Sequence, residues 1–278
     1  MGVLGVNPED MEPEESKRPV RQCALCHEER ELCNSHLMPK GTYRILRSKV
    51  EKNPNPVMIT RGRGSYTTSK QIVDYLLCEE CERRFHERGE DWVLKNCYRD
   101  ANTFSLRDVL RRNHPLSEDG ELLVYPTAQI AEIDTKRLIY FAMSVFWRAG
   151  AHSWPWQGET IELDFGPYLE PIRKFLLDEQ SFPDHMALYV RVVTAQTLLS
   201  TSRPPMSANH NGAHSHHFAM PGIAFILAVG QRLLRGTEIS STAPCPEGYI
   251  TIYSGADESD IAQLRYLKEA ADRRGSSL

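Results

Sequence analysis

Two C-x-x-C pairs, Cys23/Cys26 and Cys78/Cys81, bracket a long insert. A C-x-x-C turn aims two thiolates at one ion, and a second pair completes a tetrahedral set. The chain is therefore expected to close a structural zinc site that ties two distant segments together. The competing reading, disulfides or buried small side chains, suits an oxidising compartment. The first twenty residues lack the basic-then-apolar order of a secretory signal, and the cysteine total of seven is odd. The expected setting is therefore reducing and cytoplasmic.

The length of 278 residues and a hydrophobic content of 41% allow one large core or two ordinary ones. Residues 1–20 carry Pro8, Pro13 and Pro19 among Glu9, Asp10, Glu12, Glu14 and Glu15, and are expected to form a disordered acidic arm. No apolar run approaches the roughly 20 residues that cross a bilayer, so no membrane partner is expected. The net charge of -4 is unevenly placed: residues 21–114 sum to +5 and residues 115–278 to -6. Arg44, Arg47, Lys49, Lys52, Arg61, Arg63 and Lys70 crowd a stretch whose one acid is Glu51. With Gly62, Gly64, Ser65, Tyr66, Thr67 and Thr68 among them, these side chains suit a phosphate backbone; a merely solvated loop is the bland alternative.

The expected architecture is α+β: a zinc-braced ββα module over 21–114, then a larger mixed α/β domain over 115–278. Leu32 to His36 reads as a strand, Pro39-Lys40-Gly41 as a turn, and Lys52 to Pro56 as a loop broken by prolines. Ile72 to Leu77 leads into the second cysteine pair, and Glu79 to Glu90 reads as a helix closed by Gly89. Further on, Ile133 to Ala151 has the clearest helical spacing, with Trp147, Trp154 and Trp156 as core. Gly166 to Leu177 reads as a helix, Met186 to Val193 and Tyr249 to Tyr253 as strands, and Ile223 to Val229 as a buried strand or apolar helix. Ser259 to Arg274 reads as a final amphipathic helix. No cofactor loop is visible in 115–278.

The order C-x-x-C, then Ser35-His36-Leu37-Met38-Pro39-Lys40, then C-x-x-C at the head of a helix resembles the HNH, or His-Me finger, endonucleases. The resemblance covers the first third of the chain. It implies a ββα finger with one histidine and one divalent ion, a separate structural zinc on the two cysteine pairs, and hydrolysis of a phosphodiester. The chain departs from the family pattern at Ser35, where aspartate is common, and at Glu82, where asparagine or histidine is common.

That chemistry needs an activated water and charge stabilisation on the leaving oxygen, which one neutral imidazole and one hard ion supply. His36 is the candidate base. Glu82 and His86, four residues apart on one helical face, are candidate ligands for catalytic magnesium or manganese. Asn34 or Ser35 would orient the metal or its water, and Lys40, Arg44 and Arg83 would hold the scissile phosphate, with Arg47, Arg61, Arg63 and Lys70 along the nucleic acid. Cys33 and His36 also have a C-x-x-H spacing that suits zinc, which would remove His36 from catalysis.

His210, His214, His216 and His217 form a second histidine group, read as an exposed polar loop rather than a metal or pH site. Cys97 and Cys245 read as isolated buried thiols. Three function classes stand: a metal-dependent DNA endonuclease, of a kind suited to bacterial defence against invading DNA; a non-catalytic zinc module that binds nucleic acid; and a zinc-stabilised protein-interaction scaffold. Residues 115–278 are left to recognise substrate, to form a homo-oligomer or to receive an activating partner.

Overall fold

The computed structural model describes residues 18–48, 57–59, 65–67, 70–98, 103–120, 122–156, 158–193, 202–210, 213–230, 241–245 and 248–253. The chain is mixed α/β. Strand β1 (Val20–Gln22) leads into the first cysteine turn, and β2 (Glu29–His36) leaves it. Helix α1 (Lys40–Ser48), the hairpin β3 (Val57–Ile59) and β4 (Ser65–Thr67), and β5 (Val73–Cys78) follow. β1, β2 and β5 make a three-stranded antiparallel sheet in the order β1-β2-β5.

Helix α2 (Glu79–Phe85) starts at Cys78 and runs through a π-helical turn (His86–Glu90) into α3 (Asp91–Asn96). Glu79, Glu80 and Glu82 lie in its first turn, where the helix dipole favours acids. Two expectations change here. Pro39 to Gly41 is the entry to α1 rather than a free turn, because Thr42 N–H bonds the Pro39 carbonyl at 2.9 Å and the helix runs on from Lys40. Gly89 does not close the helix. A Cβ there would sit 2.8 Å from the Phe141 backbone, so this glycine serves a close helix crossing instead of a stop.

Beyond α4 (Ser105–Arg112), β6 (Ser117–Asp119) and β7 (Leu122–Pro126) comes the helix that organises the molecule, α5 (Thr135–Ala151). Its N-cap Asp134 accepts a hydrogen bond from Arg137 N–H at 3.0 Å, which sets its start just inside the expected span. From Leu138 to Ala149 α5 is buried almost all round, as befits a helix packed on two sides. One side meets the helix α2–α3, with Phe141 against Gly89. The other meets the sheet, with Phe146 and Phe141 edge-on to Phe218 and Phe225.

The hairpin β8 (Trp154–Trp156) and β9 (Glu159–Ile161) and helix α6 (Leu169–Leu176) follow. Trp147, Trp154 and Trp156 are all core, as expected. A short 3-10 turn (Gly166–Tyr168) precedes α6, so the expected helix from Gly166 begins as a tighter coil.

The last strands are β10 (Met186–Val193), β11 (Arg203–His210), β12 (Ala213–Met220), β13 (Ile223–Val229) and β14 (Tyr249–Tyr253). Among the described residues they join β7 and β6 in a seven-stranded sheet ordered β11-β12-β13-β10-β14-β7-β6. Only β10 and β14 pair in parallel; the other pairs are antiparallel. β13 alternates buried and half-buried residues, which resolves the choice left by its apolar run in favour of a strand. One core cluster takes in residues from the cysteine segment, α5 and this sheet alike.

The histidine group was expected in a loop and is instead a strand pair. His210 ends β11, and His214, His216 and His217 lie on β12. His216 alternates with Phe218 and Met220 along β12 and is only 3% exposed, packed on the Phe165 ring at 4.2 Å with its Nδ1 3.1 Å from the Ser207 hydroxyl, which supplies the partner that burial requires. Cys97 is buried as expected, whereas Cys245 is half-buried. The residues expected to form the acidic arm up to residue 17, the loop Lys52 to Pro56 and the final helix Ser259 to Arg274 lie outside the described residues. Among the described residues no helix is long and apolar enough to cross a membrane.

Candidate metal centre and catalytic cleft

The first cysteine turn is closed by Cys23 N–H to Glu28 O at 2.8 Å and His27 N–H to Cys23 O at 2.9 Å, with His27 in the left-handed region at φ 63. The second turn lies where β5 becomes α2. Cys78 N–H points at Cys23 Sγ, 3.3 Å away, and the four sulfur atoms lie within 4.8 Å of one another. A tetrahedral Zn–thiolate set needs sulfurs about 3.8 Å apart from Zn–S bonds of about 2.3 Å. The Cys26–Cys78 separation of 4.0 Å is close to that. The four cysteines therefore fit a structural zinc ion.

Electrostatics prepare this site for a cation. The Cys23 thiol is pulled down to about 4 by the hydrogen bond from Cys81, against burial and with help from backbone N–H groups around the turn. Cys81, the donor of that bond, is pushed up, and burial pushes Cys26 up. The arrangement favours a thiolate at Cys23, and a zinc ion bound there would displace the remaining protons. Arg173 of α6 donates to the Leu25 carbonyl inside the turn at 2.7 Å, so the second half of the chain braces this centre.

β2 and β5 pair antiparallel, and α2 leaves directly from β5. Their register shifts between Leu32 and Asn34, and Leu77 N–H donates to the Ser35 hydroxyl at 3.1 Å. Ser35 is buried and occupied with this backbone bond, so a serine rather than an acid fits the position. Asn34 is exposed on β2. Cys33 has Arg18 Nη1 at 3.8 Å and is no member of the cysteine cluster.

His36 ends β2, and its Nε2 lies 2.6 Å from Gln71 Oε1. With Nε2–H donating to that oxygen, Nδ1 is left as the basic nitrogen. Burial holds the imidazole below its ordinary value, while Glu82 and the Gln71 bond oppose that shift and Lys40 and Arg148 add to it. The environment thus favours the neutral imidazole, with Lys40, Glu82 and Arg148 among the charges that act on it.

Glu82 and His86 line the same open cleft, of about 710 Å³, together with Glu90, Arg83 and Arg30. His86 is 58% exposed, 3.9 Å from Asp91 Oδ1. Glu82 is half-buried, with one carboxylate oxygen 3.8 Å from Arg148 Nη2 and the other, Oε1, buried with no protein hydrogen-bond partner. Among the described residues, the cysteines are the one group of three or more metal-type side chains with converging ligand atoms; His36, Glu82 and His86 make no second such group. Magnesium does not require one, since one or two carboxylates plus substrate phosphates and water satisfy it.

Of the cations expected along nucleic acid, Lys40 and Arg44 are exposed on α1, Lys70 precedes β5 and Arg83 is exposed on α2. Arg47 lies in α1 with its side chain outside the description, and Arg61 and Arg63 are outside the described residues. The sequence reading missed Gln71, Glu90 and Arg148. It also missed His152 at the end of α5, whose Nε2 is 2.9 Å from Asp74 Oδ2 on β5.

Comparison with family models, with characterised proteins and with solved structures finds no match to this chain. Its chemistry rests on its own residues.

Proposed function

We propose that the chain is a metal-dependent endonuclease that hydrolyses phosphodiester bonds of DNA, with a His-Me finger formed by β2, β5 and α2. The observation that carries this reading is the β2–β5–α2 arrangement, with half-buried His36 at the end of β2 held by Gln71, beside a separate four-cysteine knot. His36 Nδ1 takes the proton of the attacking water, and Gln71 holds the ring by its other nitrogen. Glu82, with an oxygen free of protein partners, and His86 from the same cleft would hold a magnesium or manganese ion together with substrate phosphate and water. That ion, when bound, supplies positive charge to the leaving oxygen. Lys40 and Arg44, exposed on the α1 helix that follows His36 in the chain, suit the phosphate backbone. Defence against invading DNA is the setting such an activity suits.

A second reading, a zinc module that binds nucleic acid without cutting it, draws on the contact of Glu82 with Arg148, which competes with a metal ion. Supercoiled plasmid separates the two. Nicking by the wild type at low salt in magnesium or manganese, abolished by chelator and by His36→Ala, is the expected result. Salt-sensitive retardation without nicking, in either metal, contradicts hydrolysis and leaves the binding module.

A further inference from the structure

Arg148 lies in a stretch of α5 whose neighbours are Val145, Phe146, Trp147 and Ala149, and it is 1% exposed. Its Nη2 lies 2.7 Å from Glu90 Oε1 and 3.8 Å from Glu82 Oε2, and its guanidinium carbon is 4.7 Å from the centre of the Phe85 ring. Its Nε and Nη1 have no protein hydrogen-bond partner, and neither have Glu82 Oε1 and Glu90 Oε1, so Arg148 meets Glu90 as a close ion pair. Burying a guanidinium costs several kcal/mol before pairing, and a well-packed apolar side chain generally holds a fold as well or better. Core packing alone does not call for arginine here.

The geometry points to another role. Phe141, Arg148 and His152 recur along one side of α5 at helical spacing, and all three touch the cysteine half of the chain: Phe141 at Gly89, Arg148 at Glu82 and Glu90, and His152 at Asp74. We propose that Arg148 is a positioning residue for the cleft. From α5 it pairs with Glu90 and faces one oxygen of Glu82, which fixes how the Glu82 carboxylate is presented to a metal ion. One guanidinium between two carboxylates leaves the cluster with net negative charge, suited to a hard cation. The proposal rests on the nuclease reading in taking Glu82 as a metal ligand. It assigns to residues 115–278 a part in the site itself.

The test uses the full chain with Arg148→Met, Arg148→Lys and Glu90→Gln. Each variant is assayed for zinc content, for Mn²⁺ binding without DNA by electron paramagnetic resonance, and for the Mn²⁺ concentration that half-saturates plasmid nicking. Arg148→Met is expected to keep its zinc and to weaken Mn²⁺ binding and raise half-saturation by about tenfold or more, the usual effect of losing a partner that orients a metal ligand. Arg148→Lys should recover much of that loss, and Glu90→Gln should show a smaller shift of the same sign. Wild-type Mn²⁺ affinity and half-saturation in Arg148→Met, with only the melting temperature lowered, overturn the assignment and leave a structural staple. Should Arg148→Met fail to fold, wild-type affinity in both Arg148→Lys and Glu90→Gln overturns it equally. A wild type that binds Mn²⁺ but never nicks sinks the nuclease reading alone, since the binding arm still reads Arg148. A wild type that binds none sinks both.

Discussion

The four-cysteine knot and the Arg148 cluster grip the same helix by different chemistry. At the first turn of α2, Cys78 and Cys81 meet Cys23 and Cys26 in a set whose geometry suits one soft ion. Further along, Glu82 and Glu90 meet a single buried guanidinium delivered by α5. The first is complete within the cysteine half of the chain; the second exists only when α5 is docked. A metal knot fixes a fold, whereas an ionic knot with unsatisfied atoms sets direction and charge, so the two should respond differently to damage.

The sharpest break is Cys78→Ser. Structural zinc contributes on the order of 10–16 kcal/mol in small zinc modules, comparable to or above the whole stability of a typical domain. This variant should lose zinc and the protection of β2, β5 and α2 from amide exchange. Retained protection would mean that the core, not the ion, holds that sheet. Next comes Arg148→Met, which strands two carboxylates and is expected to cost about 3–5 kcal/mol in urea unfolding. Neutralising both partners as well, in Arg148→Met/Glu82→Gln/Glu90→Gln, should recover most of that. Recovery marks the cluster as dispensable for folding, and its absence would put it on a par with the cysteines.

A smaller effect is expected from Gly89→Ala, where the new Cβ meets the Phe141 backbone at 2.8 Å and neither backbone yields easily. A cost of about 1–3 kcal/mol follows from overpacking, read as a lower urea midpoint. An unchanged midpoint would show that α5 is not pressed against this turn.

The last effect concerns pH. Burial, with His217 and His214 nearby, lowers His216 to about 4 from an ordinary 6.5. The unfolded chain takes up a proton near 6.5 and the fold refuses it until about 4. This contribution to stability is therefore complete above pH 6.5 and is lost as pH falls toward 4. His216→Phe should flatten the melting temperature over that window; an equally steep fall in the variant would place the acid sensitivity elsewhere.

The cysteine knot was legible because a metal ligand pair is a local signal: two residues and a turn. So were α5, β10 and β14, whose patterns follow from burial along one element. Gly89 misled, since glycine marks both helix ends and close crossings and sequence does not separate them. The histidine pair of strands carried a usable signal in Asn211-Gly212, a two-residue hairpin marker between alternating residues, outweighed by the polarity around it. Arg148 left no signal. In an apolar helical pattern an arginine reads as the solvent edge, and its burial is decided by glutamates distant in sequence. His36 was visible as a candidate, while Gln71, which fixes its ring, lies 35 residues away and is brought beside it by the pairing of the end of β2 with the start of β5.

The central claim is a division of labour: the cysteines carry a structural ion and His36 carries the chemistry. Zinc per chain, measured by mass spectrometry on purified wild type, His36→Ala and Cys78→Ser, tests it most directly. One zinc in the first two and none in the third is the expected result. Equal loss of zinc from His36→Ala and Cys78→Ser would make His36 a structural ligand and contradict the account.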